Sequence, residues 1–262
     1  KETLSRPPSQ SGIKADFWDV PALRDVVRIK FGVEYASDSS YQLLMRFLGM
    51  SFKLPDLFDK RRDEAAITAR MAQIRQEVAE LLTQGWEVYT VDEVRVEHEA
   101  ETRRMWLPRG GRTRLHVDRT RSARSFFGAL SLTTKKMKIY PIEGNQNAEQ
   151  ITLVMARLAR ETENKKIAVV LDNAGFHHAK AVTDLYEPGQ ALERIKPTYL
   201  PPYAPDHNPT EHVWNAAKAH ISNIQRDTPE QTYSAFTNYI TSRTFDYDFE
   251  HLPITPPEGN LV

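Results

Sequence analysis

Apolar residues recur along this chain with spacings that change from one stretch to the next, and the changes mark its parts. Between residues 19 and 48 the rhythm is helical: Leu23, Val26 and Val27, then Tyr41, Leu44, Met45 and Leu48. Asp19 stands where a cap would open the first helix and Gly32 where it would stop. Ser37 and Gly49 bracket the second. Two short helices across a tight turn predict a helix-turn-helix unit or an ordinary helical hairpin. The second helix would turn Ser39, Gln42 and Arg46 outward. From Arg61 to Gln84 the apolar positions Ile67, Met71, Ile74, Val78 and Leu81 alternate between spacings of four and three, which predicts one long helix. The seam is shorter than a sustained coiled coil needs, so it predicts core packing or an interdomain linker.

After Trp86 the pattern becomes mixed. Glu87 to Val91, Arg124 to Leu132 and Lys136 to Ile142 read as strands, and Met105 to Val117 reads as a hairpin turning at Gly110-Gly111. Asn147 to Thr162 reads as a helix with Ile151, Val154 and Leu158 on one face. Ile167 to Leu171 is a continuous apolar run, which suits a strand covered on both faces. A helix is expected near His178 to Tyr186, a short strand over Ile195 to Leu200, and a helix from Pro209 to Ile224. Strands first and then alternating helix and strand predict a mixed α/β domain. Residues 1–12 are polar with Pro and Gly and read as a flexible tail, and Leu252 to Val262 as a Pro-rich tail. The expected boundaries are 1–12 tail, 13–60 helical unit, 61–84 linker helix, 85–250 α/β domain and 251–262 tail.

At 262 residues the chain is long enough for one large or two modest cores. It has no cysteine, so disulfides and Cys-based metal sites are excluded, which fits a reducing compartment. No apolar run approaches the length of a membrane span, and no signal peptide is visible. The chain begins with Lys1 rather than Met, as a trimmed or partial chain would. Its formal charge is zero, but residues 94–140 hold 12 Lys/Arg against 4 Asp/Glu, whereas residues 63–93 hold 2 against 7. A basic stretch suits a polyanion and an acidic one suits cations. Surface charges that pair locally would give the same counts. Within the basic stretch, Arg103, Arg104, Arg109, Arg112, Arg114, Arg119, Arg121 and Arg124 share one acid, Asp118. Such guanidinium groups could track a phosphate backbone or pack their stems on Trp106 and Phe126.

Three acidic residues sit in contexts that carry chemistry. Asp92 lies in Val88-Tyr-Thr-Val-Asp-Glu93, and Asp172 follows the apolar run in Ile167-Ala-Val-Val-Leu-Asp-Asn-Ala-Gly175. Glu211 follows a proline-stiffened loop in Tyr199-Leu-Pro-Pro-Tyr-Ala-Pro-Asp-His-Asn-Pro-Thr-Glu-His-Val-Trp214. Asn208 suits a helix cap and Pro209 the first helical position, so Glu211 falls at the third position of a helix. Two carboxylates closing strands and one opening a helix suit a magnesium-dependent phosphodiester-cutting site. Each has a plainer reading: Asp172-Asn-Ala-Gly is a good turn, and Asn208 with Glu211 is a capping box. Strand alternation would turn Glu93 to the face opposite Asp92. His177, His178, His207 and His212 match no zinc spacing and read as groups beside the substrate.

The blocks VDE, LDNAGFHH and YLPPYAPDHNPTEHVW resemble the three signature blocks of DDE transposases of the mariner superfamily, in its bacterial insertion-sequence branch. The resemblance covers roughly residues 85–225. It implies an RNase H-like catalytic domain behind a helix-turn-helix unit that corresponds to the second half of a bipartite DNA-binding region. It also implies cleavage at transposon ends and joining of 3′-hydroxyls to target DNA at TA. Asp92 would bridge two Mg²⁺ or Mn²⁺ ions, with Asp172 on one and Glu211 on the other. Double-stranded DNA is the implied partner, with a homodimer on paired ends in a bacterial cytoplasm. The alternatives in view are a transposase-derived DNA-binding protein without catalysis and an RNase H-like nuclease without strand transfer.

Overall fold

The computed structural model describes residues 2–53, 59–107, 113–144, 147–163, 166–178 and 180–251, and the chain divides into two compact units at residues 57/58. In the first unit, α1 (Val20–Phe31) and α2 (Asp38–Phe47) form the expected pair. Asp19 accepts from the Ala22 N–H at 2.8 Å, and Gly32 takes the left-handed conformation (φ 63°) that stops the helix. Leu23, Val27 and Tyr41 are buried together, as are Ile13, Ala22 and Val26. Ser39, Gln42 and Arg46 are exposed on α2. Residues 2–11, expected to be a flexible tail, instead form two short 3-10 turns. Leu4 packs on the helix pair and the Arg6 carbonyl accepts from Trp18 Nε1.

The second unit is a five-stranded sheet in the order β3-β2-β1-β4-β5. The strands are β1 (Glu87–Glu97), β2 (Ala123–Ser131), β3 (Met137–Ile142), β4 (Ile167–Leu171) and β5 (Ile195–Tyr199). The first three are antiparallel, and β4 and β5 run parallel to β1. One face is covered by α4 (Ala148–Glu161), which buries Ile151, Met155 and Leu158 against Val91, Phe127 and Val169. The other face is covered by α3 (Glu64–Thr83) and by α6 (Pro209–Ile221) with α7 (Pro229–Thr241). The seam of α3 is buried on Val88, Ala168 and Val170, so it packs on a core. Helices on both faces explain why all five residues of β4 are apolar and buried.

Three local expectations change. Residues 105–107 and 113–117, read as hairpin arms, lie in no strand; the turn at Gly110-Gly111 falls outside the described residues, as does the tail 252–262. The segment between β1 and β2 is pinned at its base instead: His98 N–H donates to Ser122 O, Asn223 N–H to Glu101 O and Arg103 N–H to Asn223 Oδ1. The single helix expected over His178 to Tyr186 is broken into a 3-10 turn (Gly175–His178), α5 (Lys180–Thr183) and another 3-10 turn. The turn at Asp172 dictates this entry, because its side chain accepts from Ala174 N–H at 3.0 Å and diverts the chain. Finally, α7 was not anticipated, although Thr228-Pro229 supplies its cap and Tyr233, Phe236 and Ile240 its buried stripe.

Candidate active site

The site grows from the register of the central strands. β1 and β4 pair from Glu87↔Ile167 to Thr90↔Val170, and the same offset carried two residues further brings Asp92 level with Asp172. On its other side Asp92 faces Gly128 of β2. Asp92 does not close its strand as expected, because β1 continues to Glu97 against β2; it lies just past the last β1/β4 pair, level with Asp172, which follows the last residue of β4. Alternation puts Val88 and Thr90 on the α3/α6 face, where Asp92 belongs, and Tyr89 and Val91 on the α4 face, where Glu93 belongs.

Glu211 is brought in by two polar residues that sew α6 onto β1. Asn208 caps the helix, accepting from Thr210 N–H at 3.1 Å, and its Nδ2 donates to Val91 O at 3.1 Å. Thr210 donates from Oγ1 to Thr90 O at 2.8 Å and sits 2.9 Å from Thr90 Oγ1. Both residues are buried, and unpaired they would each cost about 1–3 kcal/mol. They fix the first turn of α6 one residue short of Asp92. The side chain of Glu211 does not close a capping box: the Asn208 N–H goes to Pro205 O at 2.9 Å, and the Glu211 carboxylate lies close enough to Asp92 to repel it.

The electrostatics follow from this crowding. Asp92 is held well above the ordinary carboxylate range, first by burial and then by Glu211, Glu93 and Asp172. Glu211 is raised as well, burial again leading. Glu93 is pushed up to about 7 by burial, with His177 opposing and Asp172 adding to the rise. Asp172 differs. Burial would push it up, but the hydrogen bonds from His177 and from the Ala174 N–H outweigh that and keep it below its usual value. His177 Nε2 stands 3.2 Å from Asp172 Oδ1, with the imidazole almost wholly buried. His178 bonds Asn173 Oδ1 and packs its ring on Tyr199 at 4.3 Å. His212 bonds the Asp206 carbonyl at 2.9 Å, and His207 lies 3.6 Å from the Asp206 carboxylate. Next to the Asp172 turn opens a cleft of about 410 Å³ lined by Arg61, Arg70, Asn173, His178, Tyr199 and Tyr203, among others.

Among the described residues no three His, Asp or Glu side chains are disposed to hold one ion between them. Of the arginines, Arg109 and Arg112 lie outside the described residues. Arg103, Arg119 and Arg124 have acidic neighbours at 3.7–3.8 Å, in Glu101, Glu99 and Glu230. Arg104, Arg114 and Arg121 are exposed. Sequence reading missed Arg62, Gly128, Asn208's bond to β1, Thr210 and Trp214. The signal for Trp214 was its place three residues after Glu211, on the same helix face.

A family profile described as DDE superfamily endonuclease matches residues 87–232, more than half of the chain. The chain belongs to this family. A winged helix-turn-helix profile matches residues 14–74. No curated protein matches the chain. Among solved structures, a Mos1 transposase paired-end complex with left transposon end is 13% identical, covering 90% of this chain and 74% of that one (TM-score 0.58). The Mos1 strand transfer complex is 14% identical, covering 86% and 71% (TM-score 0.55). The Mos1 mariner paired-end complex with Mn is 15% identical, covering 87% and 72% (TM-score 0.55). These likenesses establish the fold, an N-terminal helix-turn-helix followed by an RNase H-like α/β core.

Proposed function

We propose that this DDE endonuclease is a transposase of the mariner superfamily, in its bacterial insertion-sequence branch. In this reading it cuts double-stranded DNA at transposon ends and joins the 3′-hydroxyls to target DNA at TA, as a homodimer on paired ends. What supports it most is that the middle of β1, the carboxyl end of β4 and the first turn of α6 bring Asp92, Asp172 and Glu211 close enough to act on one another electrostatically. Two Mos1 mariner paired-end complexes, one with Mn and one with Mg, support the same direction.

The residues fit a pair of divalent cations. Hard oxygen donors suit Mg²⁺ or Mn²⁺, and positive charge among these acids offsets the burial, and the repulsion from neighbouring acids, that raise Asp92 and Glu211. Asp92 with Asp172 would hold one ion and Asp92 with Glu211 the other, water and DNA oxygens completing each shell. Such ions, when bound, activate the attacking oxygen and stabilise the leaving one. His177 keeps Asp172 ionised and oriented, and Asn208 and Thr210 keep Glu211 at its station. Ser39, Gln42 and Arg46 on α2 would face base edges, while Arg103, Arg104, Arg109, Arg112 and Arg114 would follow phosphates.

The test uses supercoiled plasmid and linear DNA ends with Mg²⁺ or Mn²⁺. A transposase gives metal-dependent nicks and joined products. Nicks without joining would make the chain a nuclease. Binding without either would leave a DNA-binding protein derived from a transposase.

A further inference from the structure

The carboxylate of Asp92 has one N–H donor among the described residues, the indole of Trp214. Its Nε1 donates to Oδ2 at 3.0 Å, across 122 positions of sequence. The ring is 1% exposed and stacks on Phe236, with centroids 5.9 Å apart and planes at 24°. Val213, Ala217, Phe126 and Leu130 belong to the same core cluster, so the indole has little freedom to rotate. Room for it exists only because Gly128, the β2 neighbour of Asp92, has no side chain. A Cβ there would overlap Met137 Cε and two carbons of the indole ring. Trp214 and Glu211 lie three apart on α6, so one helix face presents both groups to the same aspartate.

We propose that Trp214 is a positioning residue for Asp92: seated on Phe236 and admitted by Gly128, its N–H fixes the rotamer in which Asp92 can serve two cations at once. The inference rests on the metal-dependent reading of the site given above. A buried indole N–H needs an acceptor, and a backbone carbonyl would have served a purely structural role. Using one oxygen of a carboxylate leaves that group with further lone pairs and a set direction. A donor that orients a metal-binding carboxylate typically changes metal affinity 10–100-fold when removed.

The test is Mn²⁺ binding by calorimetry on the full chain, with thermal melting alongside. The informative variant replaces Trp214 by 3-benzothienylalanine, in which sulfur stands for the N–H and the ring volume is kept; Trp214→Phe is its genetically encoded companion. The benzothienyl variant should melt close to wild type and bind Mn²⁺ about tenfold or more weakly. Leu158→Ala, a packing change in the core on the α4 face of the sheet, should lower the melting temperature and leave Mn²⁺ affinity unchanged. Wild-type Mn²⁺ affinity in the benzothienyl variant, with Asp92→Asn impaired, would overturn the role given to Trp214 alone. Wild-type affinity in Asp92→Asn would overturn the metal-site reading and this inference with it.

Discussion

Arg62 and Asp206 grip each other across 144 positions of sequence: Nη1 donates to Oδ1 at 2.6 Å and Nη2 to Oδ2 at 3.0 Å. The same Nη1 reaches the Tyr203 carbonyl at 2.8 Å, and further along α3 Arg70 donates twice to the Tyr199 carbonyl. The approach to α3 and its first turns therefore hold both ends of the proline-rich loop that delivers Glu211. Its prolines stiffen the loop, and the arginines fix where it lies.

Removing this clasp strands a carboxylate that is only 27% exposed. Breaking a fully buried pair costs about 3–5 kcal/mol. Because Asp206 keeps some contact with water, Arg62→Ala is expected to cost about 2–3 kcal/mol. Denaturant unfolding measures it, and a loss below about 0.5 kcal/mol, the range of an ordinary surface change, would show the clasp to be incidental.

The raised carboxyl groups tie stability to pH with a definite sign. A carboxyl raised in the folded state contributes stability that is present below its ordinary value and is lost as pH rises through the folded one. For Glu93 that window runs from about 4.5 to about 7. For Asp92 it begins near 3.8 and extends well above. Metal-free Asp92→Asn should therefore melt higher than wild type at pH 7.5, by roughly 2–4 °C for each kcal/mol relieved, and the gap should close toward pH 4. Adding Mg²⁺ should raise the melting temperature of wild type only. Equal melting of the two proteins across this range would contradict the electrostatic account.

Gly128 offers a test of packing beside the site. Gly128→Ala forces a methyl group onto Met137 and the Trp214 ring, and overpacking of this kind costs about 1–3 kcal/mol. Thermal melts measure the loss. An alanine tolerated without change would mean that the ring is not confined there.

Among the basic residues, Arg104 and Arg114 are exposed. Arg104→Ala and Arg114→Ala should weaken DNA binding regardless of sequence. The slope of log affinity against log salt should fall by about one for each lost phosphate contact. An unchanged slope in filter-binding titrations would make these arginines structural.

Much of this was legible in the chain because local signals agreed with the tertiary outcome. Asp19 caps α1 as its position announced, and the five-apolar run of β4 announced a strand buried on both faces. The residues that make the site one object were less visible. Thr210 and Asn208 act by bonding backbone carbonyls of β1 117–120 positions away, and Gly128 matters only through a ring from another element. Such long-range contacts have no period in sequence. The capping-box reading of Glu211 failed for the same reason: the cap's N–H is satisfied by the Pro205 carbonyl, so the Glu211 side chain has no part in closing the helix end.

The central claim is that Glu211 acts with Asp92 and Asp172 on the scissile bond and does not merely close a helix. Glu211→Gln keeps shape and hydrogen-bonding capacity but removes the anion a divalent cation needs. Strand cleavage in Mg²⁺ by this variant, measured beside its DNA binding, tests the claim most directly. Cleavage lowered by orders of magnitude with DNA binding retained is the predicted result; near-wild-type cleavage would contradict it.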